Sequence, residues 1–159
     1  MFDKLKSLLF NNVCSIITFP SDNMDTVDNL VEKFKRKRLK ITPQRLGVFK
    51  ILEGNSMHPS AENIYNEIKM IYPTISFTTV YKTLDVLEEL GEISEVTIDA
   101  GRKHYDPNTA VHHHIICLKC NKISDIKEDY INPRLPSETL DEFTPSSYQI
   151  SFYGTCKKC

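Results

Sequence analysis

The chain lacks any apolar run near the roughly 20 residues that a membrane-spanning helix needs, which removes a protein of that kind from consideration. It also lacks an internal repeat and a low-complexity tract, so neither a solenoid nor a compositionally disordered segment is in view. Net charge is missing too. Twenty Lys and Arg against 21 Asp and Glu leave −1, and the whole-molecule charge points neither toward nucleic acid nor away from it. Cysteine is scarce, 5 in 159 residues, and four of them fall in two CxxC pairs, Cys117 with Cys120 and Cys156 with Cys159. Such pairs favour metal over a disulfide-stapled secreted scaffold and imply a reducing compartment, so a cytoplasmic location is expected. Cys14 is left over and reads as a buried or disordered thiol rather than a functional one. What is present is ordinary. With 40% hydrophobic and 26% charged residues, the length suits one globular domain or two small ones.

Residues 1–23 form an N-terminal extension. Two lysines followed by an apolar stretch give a faint likeness to a signal peptide, but Asn11 and Asn12 interrupt that stretch and no small-x-small cleavage site follows. An extra amphipathic helix is one reading; a start at Met24, which opens a cleaner domain, is another.

Local charge says more than the total. Eight basic residues lie from Lys33 to Lys50. Val27, Leu30, Val31 and Phe34 recur at helical spacing, with a positive opposite face that can meet phosphates. Thr42-Pro43 is a cap followed by a first-turn proline; Leu46, Phe49 and Leu52 form the inward stripe, and Gly54 ends the helix. Ser60 caps a second helix with Ala61, Ile64, Tyr65, Ile68 and Ile71 inward, stopped by Pro73. Ser76 caps a third, Phe77 to Leu90, with Val80, Leu84, Leu87 and Leu90 inward and Gly91 closing it. A strand through Ile93, Val96 and Ile98, a turn at Asp99-Ala100-Gly101 and a return strand from Arg102 to Asp106 complete a hairpin. Short helices followed by a hairpin describe a winged helix over residues 24–105, whose third helix enters the major groove. The candidate DNA contacts are Lys37, Arg38, Lys40 and Arg45 from the basic stripe and Thr78, Thr79, Tyr81 and Lys82 from the third helix. A plain three-helix bundle with a polar surface is the bland alternative.

After Asp106 the pattern changes. Strands are expected at His114–Cys117 and Lys122–Ile126, flanking the first CxxC knuckle. A short helix is expected from Ser137 to Phe143. Tyr148, Ile150 and Phe152 alternate as a strand with one buried face that delivers the chain to the last CxxC. Residues 106–159 thus form a small α/β domain, the hinge lies near Asp106 to Ala110, and the whole is α+β. Two knuckles joined by a small sheet make a tetrahedral four-sulfur zinc site from Cys117, Cys120, Cys156 and Cys159. That zinc would contribute directly to folding. In a strand, His112 and His114 share a face and His113 takes the other. Asp106 and Asp125 lie on segments able to fold over the first face, and mixed imidazole and carboxylate donors suit an exchangeable Fe, Mn or Zn. His58, before Pro59, reads as an exposed turn residue that matters only if a hinge metal recruits it.

The segments ITPQR (Ile41 to Arg45), HPSAENIY (His58 to Tyr65), TTVYKTL (Thr78 to Leu84), HHHIICLKCNKI (His112 to Ile123) and YGTCKKC (Tyr153 to Cys159) resemble, in this order, the ferric uptake regulator superfamily of metal-dependent repressors. The resemblance runs from about Met24 to the end; the N-terminal extension has no counterpart. It implies a winged-helix domain, a C-terminal dimerisation domain with structural zinc, and a homodimer on palindromic operators. The peroxide-sensing branch is the most similar. It uses three His and two Asp for its regulatory metal, which match His58, Asp106, His112, His114 and Asp125. Iron sensors usually carry Glu where Asp125 stands. At a further metal site of many iron sensors, this chain has His113, Asn132 and Tyr148 in place of Asp, Glu and His; His113 could add an alternative ligand. The resemblance implies that Fe(II) or Mn(II) closes the dimer for DNA. Peroxide at the Fe(II) form then oxidises His58 or His112 and lifts repression.

Three alternatives stand beside this. One is an iron- or zinc-responsive repressor without peroxide chemistry. A metallohydrolase built on His112, His114 and an Asp lacks a general base and leaves the basic helix unexplained, so a non-enzyme is expected. A thiol–disulfide protein would not hold zinc.

Overall fold

The computed structural model describes residues 23–99, 102–126 and 134–159. Four helices come first: α1 (Val27–Arg36), α2 (Pro43–Leu52), α3 (Ala61–Ile71) and α4 (Phe77–Glu89). Their starts are set locally. Thr42 Oγ1 accepts from Arg45 N at 3.3 Å, and Ser76 Oγ accepts from Thr79 N at 3.1 Å. Ser60 and Asn63 form a reciprocal box, each side chain accepting from the other's backbone N–H at 3.2 and 3.1 Å. Gly91, at φ +70°, lets the chain leave α4 in the left-handed region.

Leu30, Phe34, Val48, Phe49, Leu52, Ile64, Ile68, Val80, Leu84 and Leu87 are wholly buried where the four helices meet. Each such side chain contributes about 2 kcal/mol. Gly47 has a packing role: a Cβ there would stand 2.2 Å from Ile68 Cδ1 and 3.1 Å from Tyr72 Cε2, so any larger residue has to push the Ile68 side chain aside. The expected stripes needed correction at their edges. Val48 is buried where Leu46 was expected, and Leu46, Tyr65 and Leu90 are half-buried. Ile71 is 64% exposed, because it ends α3 on the rim of an open groove with Pro43, Leu46 and Tyr72.

β1 (Ser94–Asp99) and β2 (Arg102–Asp106) pair antiparallel to complete the winged helix. The expected turn at Asp99-Ala100-Gly101 falls partly outside the described residues, as do Cys14 and Asn132. The second sheet has the order β4-β3-β5. β3 (His113–Cys117) runs antiparallel to β4 (Ile123–Ile126) and parallel to β5 (Ser151–Gly154). Between them lies α5 (Ser137–Glu142). The expected Tyr148–Phe152 strand is corrected on two counts. It begins at Ser151, and Phe152 is 42% exposed instead of buried. Phe152 pairs with Ile115 in the parallel register, so both stand on one uncovered face. With Ile126 they line an open cavity of about 580 Å³. Among the described residues no helix is long and apolar enough to cross a membrane.

Candidate metal centres

β3 ends in Cys117, and a tight knuckle returns the chain: Asn121, at φ +57°, donates its N–H to Cys117 O at 2.8 Å. Pairing with β3 brings β5, and hence Cys156 and Cys159, to the same end of the sheet. Sulfur separations are 3.9 Å (Cys117–Cys159), 3.8 Å (Cys120–Cys156) and 3.4 Å (Cys156–Cys159). A disulfide needs about 2.05 Å. Four thiolates about 2.3 Å from one ion stand roughly 3.8 Å apart along tetrahedron edges, which two of the three separations match. The Cys156 N–H donates to Cys117 Sγ at 3.3 Å and, with the Cys120 N–H, holds that thiol down to about 6, ready to ligate at neutral pH.

The second cluster gathers from four segments. Asp106 ends β2, His112 and His114 flank the start of β3, and Asp125 lies opposite His114 on β4. His58 comes from the loop before α3. Its expected exposure is corrected: it is 1% exposed. A φ of +49° turns its side chain inward, and Tyr105 N–H holds the neighbouring Pro59 carbonyl at 3.0 Å.

One donor atom from each of these five residues lies within 4.8 Å of all the others. Nε2 of His58 is 2.8 Å from Asp125 Oδ1 and 3.2 Å from Asp106 Oδ2. Nε2 of His112 is 2.8 Å from Asp106 Oδ2 and 2.9 Å from Nε2 of His114. Donors about 2.1 Å from a common ion stand roughly 3.0 Å apart when adjacent and 4.2 Å when opposite. Moreover, His58 Nε2 and Asp125 Oδ1 are buried and close, yet neither makes an aligned hydrogen bond. They aim at a shared point, as ligands do, and two carboxylates facing it suit a divalent cation.

Supporting bonds prepare the rings. His112 Nδ1 donates to Ala110 O at 2.8 Å, which directs Nε2 into the cluster. The Gln149 side-chain amide lies 3.3 Å from His114 Nδ1. Burial opposes ionisation of Asp106, but hydrogen bonds from His112, His114 and the Asn108 N–H, with the His58 ring 3.2 Å away, outweigh it and hold the carboxyl far below its ordinary range. Asp106 in turn raises His112 above the usual imidazole value against the opposing effect of burial. Ala110 and Gln149 were not legible in the sequence, since neither carries a ligand-type signal. His113 stands outside both clusters, its ring 5.5 Å from that of Tyr148.

The candidate DNA face is mixed. Lys37, Arg38, Lys40, Thr78 and Lys82 are exposed. Arg45 is half-buried, donating to Lys40 O at 2.7 Å and lying over the Phe34 ring. Thr79 Oγ1 is 2.8 Å from Ser76 Oγ, and Tyr81 packs edge-on against Phe77.

Residues 36–153 match the Ferric uptake regulator family. The chain belongs to that family. The peroxide-responsive repressor PerR of Staphylococcus aureus is 31% identical over 135 residues, 84% of this chain and 90% of that one. Among solved structures, the Helicobacter pylori ferric uptake regulator, described as having three functional metal-binding sites, superposes with a TM-score of 0.69 at 27% identity, covering 86% of this chain and 95% of its own. The Campylobacter jejuni peroxide stress regulator superposes with a TM-score of 0.57 at 30% identity, covering 86% and 100%. As a Fur-family, PerR-like chain, the protein is a metal-responsive regulator that combines a winged helix with a four-cysteine cluster.

Proposed function

We propose that this regulator is a peroxide-sensing transcriptional repressor and not an enzyme. Residues 24–105 form the DNA-binding unit and 106–159 the dimerisation unit. Cys117, Cys120, Cys156 and Cys159 hold a structural zinc. His58, Asp106, His112, His114 and Asp125 hold an exchangeable Fe(II) or Mn(II). The observation that carries the reading is the convergence of His58, from the helical unit, with four donors from the hinge and second sheet. A ligand set divided in this way makes occupancy and the placing of the helices one equilibrium.

The chain's own groups do the rest. Asp106 and Asp125 supply the negative charge that retains a divalent ion, and the imidazoles keep the site selective for transition metals. An Fe(II) held by these five residues would supply one-electron reducing chemistry toward a peroxide. All three rings lie against Asp106, and His58 and His112 are the two that the family resemblance marks for oxidation. An oxidised ring binds metal poorly, and the His58 loop is then free to part from the hinge. The uncovered Ile115–Phe152 face supports a homodimer. Its two α4 helices would read a palindromic operator through Thr78, Thr79, Tyr81 and Lys82, with Lys37, Arg38, Lys40 and Arg45 on phosphates.

The test is duplex release, using an operator selected from random DNA. Peroxide should release the Fe(II) form and spare the Mn(II) form. Equal insensitivity of both would leave an iron- or zinc-responsive repressor without peroxide chemistry.

A further inference from the structure

The His58 loop has a second anchor, on the side facing the hairpin. A φ of +49° is uncomfortable for a histidine and persists only where neighbours hold it. The His58 carbonyl oxygen lies 2.7 Å from Nδ1 of His104, in the middle of β2. A carbonyl has no proton to give, so Nδ1 donates and the His104 tautomer is set. Backbone contacts run alongside: Tyr105 N–H donates to Pro59 O at 3.0 Å, and Ser60 bridges His104 antiparallel. The loop is therefore laid along the free edge of β2, while β1 occupies the other edge. Further along β2, Lys103 pairs with Glu95 of β1 at 2.6 Å, so the hairpin is cross-braced beside the anchor.

We propose that His104 is a positioning residue for the regulatory metal. Its ring holds the His58 backbone in the turn that aims Nε2 at Asp106 and Asp125. Through that bond, beside the direct tie that Asp106 makes at the end of β2, the β1–β2 hairpin senses whether the five-donor cluster is filled. The proposal rests on the assignment of His58 as a ligand. A ligand held by one such bond loses about tenfold in metal affinity when the bond is removed. Filling the cluster should in return quiet the hairpin.

The experiment uses the full-length, zinc-loaded protein and Mn(II) as the probe. His104→Leu keeps bulk and removes the donor. His104→Asn places an amide nitrogen where Nδ1 stands, and His58→Ala removes the ligand itself. Mn(II) affinity is read from the free-ion electron paramagnetic resonance signal, and hydrogen exchange is followed in peptides covering residues 94–106 with and without Mn(II). We expect His104→Leu to bind Mn(II) about tenfold more weakly and to show a smaller Mn(II)-induced slowing of exchange in the hairpin, the remainder being held by Asp106. His104→Asn should restore both, which general destabilisation would not allow. Mn(II) affinity of His104→Leu within twofold of the natural protein, with hairpin protection kept and His58→Ala binding lost, would overturn the role of His104 alone. Unchanged Mn(II) binding by His58→Ala would overturn the ligand assignment beneath it as well.

Discussion

Replacing Cys117 with serine tests what holds the second sheet together. Among the described residues, that sheet buries two aliphatic side chains, Ile116 at 0% and Ile123 at 4% exposure, with Val96 of the hairpin against them. At about 2–3 kcal/mol each they supply roughly 4–6 kcal/mol. Strands β3, β4 and β5 span 13 residues, and ordering them costs about 20 kcal/mol at roughly 1.5 kcal/mol each. The packing alone falls far short. A structural zinc contributes about 10–16 kcal/mol, which brings the two sides within a few kcal/mol of balance. Loss of one sulfur should therefore release zinc and unfold the sheet, while α1 to α4, which share a core of their own, persist. Hydrogen-exchange mass spectrometry on Cys117→Ser should show peptides from β3 and β5 exchanging as unfolded chain, with helix peptides still protected. A sheet that stays protected after zinc is lost would refute the reasoning.

Mn(II) affinity should rise with pH above about 6.5. Asp106 raises His112 from its ordinary 6.5, so the metal-free pair is strongest below 6.5 and is lost as pH climbs through the raised value, and the ion must displace that proton. Competition titrations at pH 6.5, 7.5 and 8.5 check this; a flat profile would contradict it. Gly47→Ala should lower stability by up to about 2 kcal/mol in urea melts, because forcing Ile68 aside costs about 1–3 kcal/mol and better helix propensity returns about 1. Lys37→Ala and Lys40→Ala should each reduce the salt slope of duplex binding by about 1. Lys33→Gln should leave that slope unchanged and lower Tm, since Lys33 is engaged with Asp25 at 2.7 Å and with the buried Glu92.

How much was legible follows from how far each signal reaches along the chain. Thr42, Ser60 and Ser76 announced their helices because a cap satisfies N–H groups only three residues away. The cysteine pairs were legible for the same reason, as each knuckle is a local turn. Ile71 and Phe152 misled, because apolar spacing marks a face as coverable without saying what covers it. In this chain one lies at a groove rim and the other on an open sheet. His58 was the largest miss from the residues alone. Its burial depends on β2, more than 40 residues later, taking hold of Pro59 and of the His58 carbonyl. Only the family resemblance pointed to it. The orienting partners of the rings, Ala110 and Gln149, are set by tertiary packing and carry no signature at all.

In the proposed mechanism a single exchangeable ion is gripped by imidazoles from both halves of the chain. X-ray absorption at the manganese edge, on the zinc-loaded full-length protein, reads those ligands directly. Three imidazoles are expected in the natural protein and two in His58→Ala, with oxygen donors making up the remainder. An unchanged imidazole shell in His58→Ala, or a shell of oxygen alone in the natural protein, would contradict it.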